Sequence, residues 1–276
     1  MKKRPIISVI IPNYKSNDVL ESCLKSISNQ TLDKDEFEVF VMDDSANTED
    51  GSYETSKKYG AFWIKGQRER CKNKNLGAEL ARGDFVYFVD QDMVFTKNVL
   101  KEAIQKINKN SLITIPEISF GKGFWTKCKI FERSMYIGNH ISQLARIYPK
   151  EIFLKSGGFD DAVLGIEDMD LFHRVLEQNP KIKVIEIKSQ VYHDEGELKF
   201  TQIIRRMRFI GASFNEYKKR YPQVVKRQMS FSKYKNGLPK FLMHPFLTYG
   251  FFIMKITEGL SVIIASKKPE NQITQY

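Results

Sequence analysis

A short, nearly unbroken apolar run, Ile6 to Ile11, opens the chain and stops at Pro12-Asn13. A run of this length without alternation reads as a strand buried on both faces, and such burial marks a parallel sheet. Behind it, Val19, Leu20, Leu24 and Ile27 recur at helical spacing, with Asn17 or Asp18 placed to cap the helix. A second apolar run, Glu38 to Met42, ends in Asp43-Asp44-Ser45. Strand, helix and strand in this order predict a β-α-β unit with a right-handed crossover.

The alternation continues downstream. A strand is expected at Ala61 to Ile64, a helix from Lys72 to Ala81, and a strand Phe85 to Val89 running into Asp90-Gln91-Asp92. A helix over Asn98 to Asn108 and a strand over Leu112 to Pro116 follow, and the Gly- and aromatic-rich stretch Phe120 to Trp125 reads as a loop. Gly165-Ile166-Glu167-Asp168-Met169-Asp170 leads into a helix through Leu176, and a strand at Lys183 to Ile187 leads to His193. From Glu197 to Tyr217 apolar residues at helical spacing alternate with arginines and lysines, the pattern of a basic amphipathic helix. The expected architecture is an α/β catalytic domain over residues 1–196 and a helical segment over 197–276.

Composition adds two constraints. The 276 residues carry a formal charge of +11, which calls for an anionic partner: nucleic acid, phospholipid headgroups or a phosphorylated substrate. Cys23, Cys71 and Cys128 are too few and wrongly spaced for a disulfide framework or a zinc site, and fit a reducing, cytosolic setting. The basic start Met1-Lys2-Lys3-Arg4 resembles a secretory leader, but the apolar stretch after it is too short for one.

The polar clusters fall just behind strands, at the carboxyl edge where open α/β sheets bind ligands. Tyr14 offers a ring on which a base can stack, and Asp43 or Asp44 a carboxylate to accept from its N–H. Asp90 and Asp92, one residue apart at a strand end, can present oxygens to one hard cation, Mg²⁺ or Mn²⁺, that also binds a diphosphate.

Taken in order, Ser8-Val9-Ile10-Ile11-Pro12-Asn13-Tyr14, Val41-Met42-Asp43-Asp44-Ser45, Asn75-Leu76-Gly77-Ala78, Asp90-Gln91-Asp92, Gly157-Gly158-Phe159-Asp160 and Glu167-Asp168 resemble the motif series of family 2 glycosyltransferases with the GT-A fold. The resemblance implies a UDP- or GDP-sugar donor, Mg²⁺ or Mn²⁺, and inversion by direct attack of an acceptor hydroxyl. It implies that Pro12, Tyr14 and Asp43 or Asp44 hold the nucleoside, and that Lys72 or Lys74, beside Asn75, reaches the diphosphate. Asp90, with Gln91 beside it, would meet the sugar or ribose; Asp92, with Asp90, would hold the metal, joined by His193 as in some relatives. Asp168 of the Glu167-Asp168 pair would be the base. Independently of the resemblance, attack by a hydroxyl needs a carboxylate to take its proton, and a departing nucleoside diphosphate needs its growing charge neutralised. Two features depart from the series: Ser45 stands where a glycine is usual, and Asp170 has no assigned role.

From Pro239 to Ala265 the chain is strongly apolar but interrupted by His244, Pro245, Lys255 and Glu258. Two pieces lying in a membrane interface fit this better than one span, with Arg205 to Arg208, Lys218 to Arg220 and Lys226-Arg227 meeting anionic headgroups. The acceptor expected at such a surface is a saccharide or polyprenyl-linked glycan on the cytoplasmic face, with the segment Phe120 to Tyr148 expected to shape its binding. The competing readings explain less. A nucleic-acid binder would use the charge but leaves the strand-end carboxylates idle, and a sugar-phosphate nucleotidyltransferase would open on a Gly-rich loop, which Pro12-Asn13-Tyr14-Lys15-Ser16 is not.

Overall fold

The computed structural model describes residues 4–15, 17–45, 50–135, 144–230, 234 and 237–267. In chain order the elements are β1 (Ile7–Asn13), α1 (Asn17–Ser28), β2 (Phe37–Asp43), α2 (Ser52–Lys58), β3 (Phe62–Lys65), α3 (Arg70–Leu80), β4 (Phe85–Phe88), β5 (Met93–Phe95), α4 (Val99–Lys106), β6 (Ser111–Thr114) and β7 (Glu117–Lys122). There follow α5 (Phe124–Ser134), β8 (Ala145–Pro149), α6 (Lys150–Lys155), α7 (Glu167–Gln178), β9 (Lys183–Glu186), β10 (Val191–Glu197), α8 (Phe200–Arg220), α9 (Pro222–Met229), α10 (Leu238–Met243) and α11 (Pro245–Ser266). The side chain of Asn17, one of the two expected caps of α1, lies outside the described residues.

The chain forms two compact units, one of Met1–Glu117, Leu144–Phe159 and Leu171–Asp194, the other of Ile118–Gln143, Asp160–Asp170 and Glu195–Tyr276. In the first unit seven strands lie in the order β3-β2-β1-β4-β8-β6-β9. β1, β2, β3 and β4 run parallel, as do β6 and β9, while β8 is antiparallel to both its neighbours. The order 3-2-1-4 puts the reversal of winding between β1 and β4, so a crevice opens beyond their carboxyl ends. The apolar run of β1 is buried because the sheet is covered on both faces. Val9 and Ile11 join Leu20, Cys23, Leu24 and Ile27 of α1 in the main core. On the other face a β-carbon at Gly77 of α3 would lie 2.5 Å from Ile10, so only glycine lets that helix approach the strand.

The second unit holds α5 and the C-terminal helices. α8 and α11 touch closely at Gly211, whose added β-carbon would lie 2.7 Å from that of Ala265. α11 also packs on α5, where Gly250 meets Cys128 and Phe124. An ionic cluster ties the same two helices: Glu132 lies 2.6 Å from Lys255 and 3.1 Å from Lys129, Lys255 pairs with Glu258, and Tyr234 donates to Glu132. Beyond this seam Leu242, Met243, Phe246, Tyr249, Ile256, Leu260, Ile263 and Ile264 are exposed. α11 is long and apolar enough to cross a membrane, by length and composition.

One expectation fails. Phe120 to Trp125 is not a loop but the end of β7 and the first turn of α5. Gly121 and Gly123, at φ of 151° and 84°, make the turn between strand and helix, and Trp125 packs on Phe200 at 4.5 Å between ring centres. Thr126, Cys128, Phe131 and Glu132 form the buried side of the helix.

Candidate active site

At the carboxyl ends of β1 and β2 the register sets Asn13 opposite Asp43. Asp43 is fully buried and saturated with donors. Oδ1 accepts from Asn13 Nδ2 (3.0 Å) and from the amide (3.1 Å) and hydroxyl (2.7 Å) of Ser45, while Oδ2 accepts from Ser52 (2.6 Å) and Trp63 Nε1 (3.1 Å). Ser45, in the place of the usual glycine, also accepts the amide of Lys15 at 3.1 Å, so its hydroxyl knits the turns after β1 and β2 together. Asp44 differs: its Oδ1 is buried with no hydrogen-bond partner among the described residues. Burial, then the charge of Asp43, raises its pKa against the opposing pull of Arg68. Tyr14 is half exposed, and Pro12 lies partly buried on β1.

Asp90-Gln91-Asp92 forms the tight turn between β4 and β5, closed by the amide of Met93 on the Asp90 carbonyl at 3.1 Å. Gln91 accepts the Tyr14 amide at 2.9 Å, which fixes the tyrosine's backbone. Asp90 receives Arg146 at 3.2 Å and lies 3.9 Å from Arg70. Burial alone would raise the Asp90 carboxyl, but Arg146, then Lys74, Arg70 and His193, hold it well below the usual carboxylate range. His193 stands on β10, opposite Met93 of β5, with Nε2 3.3 Å from Asp92 Oδ2. The other Asp92 oxygen, Oδ1, is buried with no hydrogen-bond partner among the described residues.

That orphaned oxygen bears on whether a cation fits here. A buried carboxylate oxygen without a donor is costly unless a cation or water completes it. Asp92 and His193 together supply one oxygen and one nitrogen side by side. No group of three or more His, Cys, Asp or Glu among the described residues forms a closed cage. Two protein donors plus substrate phosphates are nonetheless what Mg²⁺ or Mn²⁺ in a nucleotide site needs.

Lys74 and Asn75 lie on α3. Lys74 is buried, its ammonium 4.5 Å from the centre of the Phe159 ring, whereas Lys72 pairs with Glu69 at 3.7 Å near the surface. The Asn75 amide is taken up by the backbone of Phe159, donating to its carbonyl and accepting its amide. Asn75 therefore braces the Gly157-Gly158 turn.

In the second unit the Glu167-Asp168 pair opens α7, where the helix dipole favours negative charge. Glu167 is buried, and its Oε2 accepts the Gly165 amide at 2.6 Å. Asp168 is partly exposed. Asp170, without a role in the sequence, is fully buried and paired with Arg220 at 2.9 Å; Arg220 also reaches Asp160 at 2.7 Å and Glu216 at 3.2 Å. Burial opposes the Arg220 charge, but these three carboxylates raise its pKa. Residues 136–143, part of the segment 120–148 expected to shape acceptor binding, lie outside the described residues.

Sequence reading missed Glu117, Arg146 and Arg70. Glu117 directly follows the apolar run Leu112 to Pro116, so the rule that picked out Asp43 and Asp90 would have found it. No local signal marks Arg146.

The family model described as glycosyl transferase family 2 matches residues 8–159. An uncharacterized glycosyltransferase of Haemophilus influenzae is 26% identical over 192 residues, 63% of this chain and 63% of its own length. The GalNAc(5)-diNAcBac-PP-undecaprenol beta-1,3-glucosyltransferase of Campylobacter jejuni is 26% identical, over 59% of this chain and 57% of its own. The chain spans roughly half to two thirds of the length of the curated relatives it matches first. Among solved structures, S. aureus TarS 1–349 in complex with UDP is 25% identical, with a TM-score of 0.53 over 75% of this chain and 64% of its own. The mannosyltransferase PcManGT from Pyrobaculum calidifontis, in complex with GDP-Man and Mn²⁺, shares the fold at a TM-score of 0.64 and 16% identity, over 95% of this chain and 87% of its own. The fold is GT-A, its mostly parallel sheet flanked by helices as the sequence predicts, and with the match covering more than half of its length the chain belongs to glycosyl transferase family 2.

Proposed function

We propose that this glycosyltransferase moves a sugar from a nucleoside diphosphate to a hydroxyl of a lipid-linked glycan, with inversion and with a divalent cation. The observation that carries the donor side is the pair Asp92 and His193: Nε2 faces Asp92 Oδ2 at 3.3 Å, and the other carboxylate oxygen, Oδ1, is buried without a hydrogen-bond partner among the described residues. A cation bound there supplies charge neutralisation for the leaving diphosphate. UDP in the TarS complex, and GDP-Man with Mn²⁺ in PcManGT, support this donor class.

Tyr14 stacks on the base, and Asp44, whose oxygen is unspent, accepts from its ring N–H; Asp43 acts one step back, holding Asn13 and Ser45 in place. Asp90, gripped by Arg146, faces the sugar or ribose. Asp168 takes the proton of the acceptor hydroxyl as its oxygen bonds to the anomeric carbon and the bond to the diphosphate breaks. Glu167 gives the Asp168 turn its shape through the Gly165 amide.

The undecaprenol-linked substrate named for the Campylobacter relative supports a lipid-linked acceptor and a peripheral place on the cytoplasmic face of the membrane. Within the second unit, Lys255 and Glu258 are tied to α5 while the apolar stripe of α11 is exposed, an arrangement suited to lying on a bilayer rather than spanning it.

The test is binding and turnover of UDP- and GDP-sugars with and without Mn²⁺. Asp92→Ala should abolish metal-dependent donor binding, and Asp168→Asn should lose turnover by about 10²-fold or more with binding retained. Failure of every nucleotide sugar to bind, together with retention of RNA, would overturn the proposal.

A further inference from the structure

Glu117 touches a partner of each aspartate of the D-x-D turn, Arg146 beside Asp90 and His193 beside Asp92. Its Oε2 lies 3.4 Å from His193 Nδ1, and its Oε1 accepts from Arg146 Nε at 2.8 Å and lies 2.7 Å from a second Arg146 nitrogen. Arg146 continues to Asp90 at 3.2 Å, and His193 Nε2 faces Asp92 at 3.3 Å. Asp92, His193, Glu117, Arg146 and Asp90 thus form one chain of polar contacts that begins and ends on the same three-residue turn. Every link lies within the first unit. The His193 side chain is 13% exposed and that of Arg146 15%, so water competes little for these contacts.

We propose that Glu117 is the positioning residue of the metal centre. It accepts the Nδ1 proton of His193, which leaves Nε2 unprotonated and aimed at Asp92 as a second donor to the cation. Through Arg146 it also holds Asp90 apart from the cation, so that one carboxylate of the turn serves the metal and the other the donor sugar. The physical reason is general: a neutral imidazole carries one N–H, and a carboxylate on one ring nitrogen selects the tautomer in which the other nitrogen is the lone-pair donor. The inference rests on the metal-dependent reading proposed above.

The experiment measures Mn²⁺ affinity of the purified full chain in the presence of UDP, by the electron paramagnetic resonance signal of free Mn²⁺, for wild type, Asp92→Asn, His193→Ala, Glu117→Gln, Glu117→Asp and the double variant Glu117→Gln/His193→Ala. Glu117→Gln is expected to weaken Mn²⁺ binding about 10- to 100-fold, as loss of a carboxylate behind a ligating histidine does. Glu117→Asp should recover part of it. Glu117 acts on the cation through His193, whereas its route through Arg146 ends on Asp90, which is kept off the metal, so the double variant should bind Mn²⁺ no more weakly than His193→Ala alone. Additive losses, or wild-type affinity in Glu117→Gln while His193→Ala is impaired, would overturn the positioning role and leave the metal site standing. Wild-type affinity in both Asp92→Asn and His193→Ala would remove the metal site and this inference with it. If Glu117→Gln does not fold, Glu117→Asp and its double with His193→Ala supply the same comparison.

Discussion

Asn75 and Phe159, 84 residues apart, hold each other by two hydrogen bonds of 2.9 Å, one in each direction between the asparagine amide and the phenylalanine backbone. The contact fastens the Gly157-Gly158 turn against α3, beside the buried Lys74. Gly158 has a φ of 66°, and an added β-carbon there would lie 2.5 Å from the Asn75 oxygen. Asn75→Ala should therefore cost about 1 to 3 kcal/mol, the penalty for stranding buried backbone groups. Gly158→Ala should cost at least as much, through both the left-handed backbone and the collision. Thermal melts followed by circular dichroism read both, and a melting temperature unchanged within about 1 °C in either variant contradicts the bracing role.

The two aspartates at the end of β2 separate by the work each does. Asp43→Asn places a donor against Ser52 or Trp63 and should destabilise the fold by about 2 to 4 kcal/mol. Asp44→Asn should leave the melting point close to wild type and weaken UDP binding, measured by calorimetry, by about 10-fold. Reversed effects would show that Asp43 is the residue at the base.

Glu102 of α4 sets a pH dependence of stability. Burial pushes its carboxyl up, but the backbone amides of Lys188 and Ser189, both at 2.8 Å, and then Lys106 bring it from an ordinary 4.5 down to about 2. A lowered carboxylate pKa stabilises the fold fully above the unfolded value and stops doing so as pH falls through the folded one. Glu102→Gln should thus cost on the order of 2 to 3 kcal/mol at neutral pH, and its deficit relative to wild type should shrink between about pH 4.5 and pH 2. Urea unfolding at a series of pH values measures the deficit, and a pH-independent one contradicts the assignment.

The exposed face of α10 and α11 gives a prediction about location. The chain should float with vesicles containing about one third anionic lipid and be released by moderate salt, because exposed Arg205, Arg206 and Arg208 supply headgroup attraction. Leu242→Ser with Phe246→Ser should reduce flotation several-fold without changing donor binding. Recovery wholly in the soluble fraction refutes a membrane surface.

The legible parts of this molecule are those whose environment is uniform along a segment. β1, β2 and β4 are buried on both faces, so their residues form apolar runs, and the abrupt change to Asn13, Asp43 and Asp90 marks the edge of the sheet. Glu167 and Asp168 were legible because a glycine turn precedes a clear helical pattern. The Arg146–Glu117 pair was not. It depends on β8 inserting antiparallel between β4 and β6, with Ile147 opposite both Tyr87 and Ile113, which carries Arg146 to the end of β4. His193 was half legible: the family resemblance suggested a ligand, but only the pairing of β10 with β5 sets it beside Asp92.

The ionic cluster of Glu132, Lys129, Lys255 and Glu258 fixes the roll of α11 about its own axis. Turning the helix to hide its apolar stripe would pull Lys255 away from Glu132 and break an ion pair of a carboxylate that is almost wholly enclosed, leaving it Lys129 and Tyr234. Within this unit the greasy side is a permanent fixture rather than one that a lipid signal must uncover. If the chain docks on a membrane as proposed, control over when it does so would fall to the arginines of α8, whose attraction to a surface can be dialled by salt, lipid charge or a single added phosphate.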